Sequence, residues 1–142
     1  MELKDLKFDE DGNCHLEIGG EYPVDVMKDT QLSRYVLTSP VAVELPEETT
    51  YSQMLDLLSF ALGPIFNGAP AIGRDPSSGL LIAYCILPFA PAAEADFPEQ
   101  FARFLEFRVA MAERFASIER GETVVDDSFE ALNNLNLNEF RV

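Results

Sequence analysis

The residues best equipped for chemistry in this 142-residue chain are Cys14, His15 and Cys85. His15 is the single histidine, so a Ser-His-Asp or Cys-His nucleophile would have to be built around it. It stands in "NCHLEI", where Cys14, Leu16 and Ile18 share one strand face and His15 and Glu17 the other. That alternation predicts an exposed imidazole turned away from the neighbouring thiol. Cys14, His15 and Cys85 fall short of a tetrahedral zinc set in number and in spacing. "DEDGN" (residues 9–13) has calcium-loop residue types, yet Gly12 comes two residues early for an EF-hand and no glutamate closes the pattern, so a hairpin turn is expected. "GAPAIG" lacks the Gly-Lys-Ser/Thr ending with which a phosphate loop holds a nucleotide. No metal and no cofactor is expected, and without an acid–base pair the chain reads as a non-enzyme.

Composition narrows the partners. Twenty-five acidic against ten basic residues leave a net charge of −15, which repels phosphate backbones and anionic membranes, so neither nucleic acid nor membrane insertion is expected. The opening "MELKDLKFDEDG" is charged throughout, with no apolar leader core, and no stretch has the uninterrupted apolar length of a membrane span. A cytoplasmic location follows as the expectation. The two cysteines sit in strand-like runs and are expected to be small buried hydrophobes rather than a disulfide framework. A 47% apolar content with 11 phenylalanines is that of a folded globule. One domain over residues 1–121 is expected, with an acidic tail over 122–142 that carries spaced apolar residues.

The elements that must position any site follow from periodicity. In "LKFDEDGNCHLEIGGEYPVDV" the apolar positions Leu6 and Phe8, then Cys14, Leu16 and Ile18, then Tyr22, Val24 and Val26 alternate with polar ones, predicting a three-stranded antiparallel meander. "LSRYVLTSPVAVEL" predicts one long bent strand or two short ones, because Pro40 removes a ladder donor. Thr49 or Thr50 can cap a helix in which Tyr51, Met54, Leu55, Leu58 and Leu62 recur at helical spacing, ended or kinked by Gly63 and Pro64. "APAIGRDPSSG" holds one short strand and a turn. The longest helix is expected after Asp96, with Phe97, Phe101, Phe104, Leu105, Met111, Phe115 and Ile118 on one stripe and Gly121 as its stop.

Between them lies "GLLIAYCILPF", a strand with no wet face. Leu80, Ile82, Tyr84 and Ile86 fall on one side; Leu81, Ala83, Cys85 and Leu87 fall on the other. One set is expected to meet the long helix. The other needs either the helix of residues 51–62 or a second molecule, and with so few helices available a homodimer is expected.

In this order and spacing the elements resemble the class I chaperones of type III secretion, the Tir chaperone or CesT-like family. The resemblance is carried by "LKFDEDGNCHLEIGGEYPVDV", by "MLDLLSFALGPIFNGAPAIGRDPSSGLLIAYCILPF" and by "EADFPEQFARFLEFRVAMAERF", together spanning residues 3 to 120. It implies an α+β fold: an antiparallel, strongly twisted β-sheet with a central helix and a long C-terminal helix, dimeric. It implies a function in binding the N-terminal segment of a secreted effector, keeping it soluble and partly extended and delivering it to the secretion apparatus of a Gram-negative bacterium, with the apparatus ATPase as a further candidate partner. By the same resemblance Met54, Leu55, Leu58, Leu81, Ala83 and Cys85 are expected at the dimer interface, and Leu6, Phe8, Leu16, Ile18, Val24 and Val26 at the client surface. The alternative use of the last six is the subunit's own core. Family members usually begin with an amphipathic helix, whereas this chain is expected to enter its first strand near Leu3; the tail from Phe129 to Phe140 is expected either to fill that place, in its own subunit or across the dimer, or to be a mobile acidic terminus. Two rival readings use the same elements: a regulatory partner-binding protein of this fold, and a small ligand-binding or enzyme domain.

Overall fold

The computed structural model describes residues 1–66 and 68–121. The expectations for residues 122–142, including the docking of the Phe129–Phe140 stretch, lie outside the described residues. A single 3-10 turn, Leu3–Asp5, opens the chain, closed by the Glu2 N–H donating to Asp5 Oδ2 at 3.0 Å. Among the described residues five strands follow, β1 (Asn13–Ile18), β2 (Tyr22–Asp29), β3 (Arg34–Ala42), β4 (Ala71–Arg74) and β5 (Leu81–Pro88). Among the described residues four helices accompany them: α1 (Tyr51–Phe60), α2 (Gly63–Phe66), α3 (Pro91–Ala95) and α4 (Phe97–Glu119).

The strands form one antiparallel sheet in the order β1-β2-β3-β5-β4. The meander is β1-β2-β3, so the first apolar run, Leu6 and Phe8, is not a strand but a segment packed over the core. Its turn chemistry is as the sequence implies. Asp9 Oδ1 accepts the N–H groups of Asp11 and Asn13 at 2.9 and 2.8 Å, and Gly12 takes φ +82°. A side chain at Gly12 would also stand 2.9 Å from the Lys28 carbonyl, which leaves room only for glycine.

β3 is one long strand whose register against β5 shifts between Pro40 and Ala42. β2 pairs with β3 only as far as Thr38, so Pro40, which has no N–H to give, falls where β5 alone lies beside it. α1 begins at a reciprocal cap: Thr50 Oγ1 accepts the Gln53 N–H at 3.2 Å, and Gln53 Oε1 accepts the Thr50 N–H at 2.8 Å.

α4 packs across β3 and β5. Phe97, Phe101, Phe104, Arg108, Met111, Phe115 and Ile118 are all buried, and their alternating four- and three-residue steps draw one stripe down the helix. Burying each of these phenylalanines contributes about 1.5–3 kcal/mol, so α4 is the main cover of the sheet. Beneath it lie Val24, Val26, Tyr35, Leu37, Leu81, Ala83, Cys85 and Leu87, all buried.

Arg108 interrupts the apolar stripe with a charge. Its Nε donates to Ser39 Oγ at 3.2 Å, its Nη2 donates to the Pro40 carbonyl at 2.9 Å, and its Cζ sits 4.4 Å from the Tyr22 ring centroid. Ser39, fully buried, in turn donates to the Pro23 carbonyl at 2.7 Å. The guanidinium thereby joins α4 to the irregular end of β3 and to the start of β2. Burial pulls its pKa down, against the opposing influence of Tyr22, but an arginine stays charged.

Candidate functional site

Three surfaces of the subunit are open to a partner, and each follows from how the sheet is covered. The first is the edge strand β1. Its inner face is Cys14, Leu16 and Ile18; Cys14 is buried and the other two are half-buried, on the side of the sheet away from β5. Among the described residues no strand pairs with its outer edge, which leaves a row of backbone donors and acceptors for an added strand. Leu6 and Phe8 are half-buried in the segment that leads into β1, while Val24 and Val26 are fully buried in the core. Of the six client residues expected from the sequence, four therefore reach the surface and two do not. Val24 and Val26 face inward from the second strand, one position in from the edge, so the core claims them.

The second surface is the outer side of α1. Tyr51, Leu55, Leu58 and, beyond the helix end, Leu62 and Ile65 are 81%, 46%, 62%, 43% and 74% exposed. They are spaced four, three, four and three residues apart, the seam of a helix that pairs with another. Phe60, fully buried and 5.8 Å edge-on from Phe107, is what ties α1 to α4. Met54, expected at a subunit contact with Leu55 and Leu58, is only half-buried.

The third is the outer face of β3 and β5. Val36, Ile82, Tyr84 and Ile86 are half-exposed there, with Val36 opposite Ile86 across the ladder. The two faces of β5 are thus the reverse of those expected. Leu81, Ala83 and Cys85, assigned to a dimer contact, are 5%, 0% and 0% exposed under α4, and the set with Tyr84 is the open one. Burial pushes the Cys85 thiol up to about 11, so it is inert at neutral pH. Among the described residues no three metal-ligating side chains gather at one place.

His15 lies on this outer face at the β1 end. Its Nδ1 is 2.5 Å from Asp25 Oδ1, directly across the β1–β2 ladder, and both side chains are exposed. The hydrogen bond to Asp25, then the charge of Asp25, raises the imidazole above its ordinary value of 6.5. The raised folded-state value means that the pair's stabilisation is present in full below pH 6.5 and is lost as pH rises through the folded-state value. Proton NMR of this lone imidazole is expected to show a midpoint above 6.5 that falls back in Asp25→Asn; an unshifted wild-type midpoint counts against the pair.

A cleft of about 580 Å³ opens on the inner side where the N-terminal segment meets α3 and the start of α4. Phe8 and Tyr35 line it, their ring centroids 6.2 Å apart, together with Glu2, Lys4, Lys28 and Glu94. The Tyr35 hydroxyl donates to Glu94 Oε1 at 3.3 Å; burial, and then the Glu94 charge, push the phenol up, so it keeps its proton. Sequence reasoning found Phe8 but neither Tyr35 nor the lysines, because the cleft joins segments distant in the chain.

Open strand edge, exposed helix seam and acidic exterior are the surfaces of a protein that can hold another chain. Solved structures of secretion chaperones share the fold. The structure of the HopA1-SchA chaperone-effector complex matches at 28% identity and a TM-score of 0.63, over 76% of this chain and 80% of that one. The ExsC-ExsE complex matches at 19% identity and 0.62, over 78% of this chain and 80% of the other. The Yersinia pestis type III secretion chaperone SycH, in complex with a stable fragment of YscM2, matches at 13% identity and 0.58, over 75% and 85%. The last two show the likeness of fold alone. A comparison with curated proteins finds no match. The class is therefore that of the class I type III secretion chaperones. Residues 1–116 match the model of the Tir chaperone protein (CesT) family, and the chain belongs to that family.

Proposed function

We propose that this protein binds the N-terminal segment of a secreted effector, keeps it soluble and partly extended, and delivers it to a type III secretion apparatus. The observation that carries the reading is the open β1 edge with Leu16 and Ile18 half-exposed on it, and Leu6 and Phe8 half-exposed in the segment that leads into it, in a chain of the chaperone family. A disordered client loses entropy on binding, so it needs long apolar and backbone contacts rather than a deep pocket. β1 offers both. The described residues share one core, in keeping with a single chaperone domain. The protein works as a homodimer through the α1 seam and the outer face of β5, in the cytoplasm, without nucleotide or catalysis. No described helix is long and apolar enough to cross a membrane.

Affinity capture from the native cell, with mass spectrometry and light scattering, tests this reading. A dimer holding a client with a disordered N-terminus is the expected result. A monomer with a small bound ligand overturns it. The double variant Leu16→Asp/Ile18→Asp is expected to lose at least tenfold in client affinity, about 1.4 kcal/mol, while its circular dichroism stays native. Undiminished capture by this variant removes β1 from the client surface.

A further inference from the structure

The chain has only three lysines, and two of them, Lys4 and Lys28, line the cleft over Phe8 and Tyr35. The nearby acids Glu2, Glu94 and Asp9 each have a partner other than Lys28, though only Glu2 is in an ion pair. Glu2 Oε2 pairs with Lys4 Nζ at 2.9 Å, Glu94 accepts the Tyr35 hydroxyl, and Asp9 Oδ1 is held by two N–H groups of its own turn. Lys28 has no ion-pair partner within bonding distance among the described residues. Its backbone is fixed, the N–H donating to the Gly12 carbonyl at 2.7 Å, and Tyr35 lies directly opposite it across the β2–β3 ladder. Adjacent cross-strand side chains stand about 5 Å apart at Cβ, so the free ammonium is rooted beside the aromatic floor.

We propose that this cleft is a specificity subsite for the client: it takes an aromatic or aliphatic anchor against Phe8 and Tyr35, with a carboxylate of the same segment on Lys28. The proposal rests on the client-binding reading and sharpens it. A chain of net charge −15 draws basic stretches to its surface in general. In the cleft the signs balance, Glu2 and Glu94 against Lys4 and Lys28, so the lysine without an ion pair is a local cation beside two rings, and a cleft of about 580 Å³ holds an anchor with its neighbour. The client segment is then mixed: an acidic residue close to one apolar anchor, within a client otherwise suited to an acidic exterior.

Two fluorescein-labelled peptides with identical leucine and phenylalanine positions test it, one with glutamate and one with lysine between the anchors. The full chain is titrated with each by anisotropy, as wild type, as Lys28→Glu, and as Arg74→Glu, which makes the same charge change on β4 at the far side of the sheet. Lys28→Glu is expected to weaken the glutamate peptide about fivefold, the scale of one exposed ion pair, and more than Arg74→Glu does. Phe8→Ala is expected to weaken both peptides alike. Equal effects of Lys28→Glu and Arg74→Glu leave only the bulk field and overturn the proposal, as does a natural client that binds while neither peptide does. A change of oligomeric state in Lys28→Glu makes the cleft a subunit contact, and peptide binding that appears only after removal of residues 122–142 makes the tail its occupant; either overturns the proposal. If no natural client binds the wild-type chain, it is the client-binding reading itself that fails.

Discussion

Arg108→Ala is expected to lower the unfolding free energy by about 3 kcal/mol, the largest single-residue effect outside the phenylalanine core. The substitution orphans the Pro40 carbonyl, at a cost of about 1–2 kcal/mol, and removes a partly desolvated contact with the Tyr22 ring worth about 1 kcal/mol. It also leaves a cavity between α4 and the sheet, which adds to the loss. Ser39 keeps its own bond to the Pro23 carbonyl, so its hydroxyl is not stranded. In urea the midpoint is expected to fall at unchanged slope, and the thermal midpoint by roughly 10 °C. Arg108→Lys keeps the charge but cannot reach Ser39 and Pro40 with one planar fork, so it should fall between alanine and wild type. A loss in Arg108→Ala of less than about 0.5 kcal/mol, the level of an ordinary surface change, would mean that the guanidinium does not hold β3 to α4.

Arg108 also shows what a sequence reading can overlook. The stripe of α4 was legible from Phe97 to Ile118, and its four-three rhythm has a gap of seven residues between Phe104 and Met111. The position that fills the gap is Arg108. A charge on an apolar stripe is the signal of a buried polar partner, here the irregular end of β3 at Pro40, whose carbonyl needs a donor. The Thr50 cap, the Asp9–Gly12 turn and the bent β3 were equally legible, because each is written in adjacent residues.

The faces of β5 were not legible. Alternation separates Leu81, Ala83, Cys85 and Leu87 from Ile82, Tyr84 and Ile86, but both sets are apolar, so nothing local says which meets α4. The smaller set, with Ala83 and Cys85 at 0% exposure, lies inward because the phenylalanines of α4 need shallow floor beneath them. Leu6 and Phe8 alternate like a strand, yet the chain there only crosses the core after the 3-10 turn at Leu3–Asp5. The cleft with Lys28 and Tyr35 depended on that crossing and could not be read before it.

Leu55→Asp/Leu58→Asp is expected to turn a dimer into a folded monomer. In the single chain the seam of Tyr51, Leu55, Leu58, Leu62 and Ile65 faces outward, while Phe60 and the half-buried Leu57 anchor the helix into the core. The substitutions therefore spare the fold, and far-ultraviolet circular dichroism should be unchanged. A twofold contact places the same leucines on both sides, so four leave the seam at about 1.5 kcal/mol or more each, about 6 kcal/mol per dimer. The aspartates add like charges across the axis in a chain already at −15. That exceeds a ten-thousandfold weakening on the scale of about 1.4 kcal/mol per decade, enough to dissociate a nanomolar dimer at working concentrations. Light scattering should then report twice the chain mass for the wild type and the single chain mass for the variant. A variant that remains dimeric moves the contact to the outer face of β5, where Ile86→Asp is the matching probe. If both variants stay dimeric, neither open apolar surface joins the subunits, and both are left free for the client.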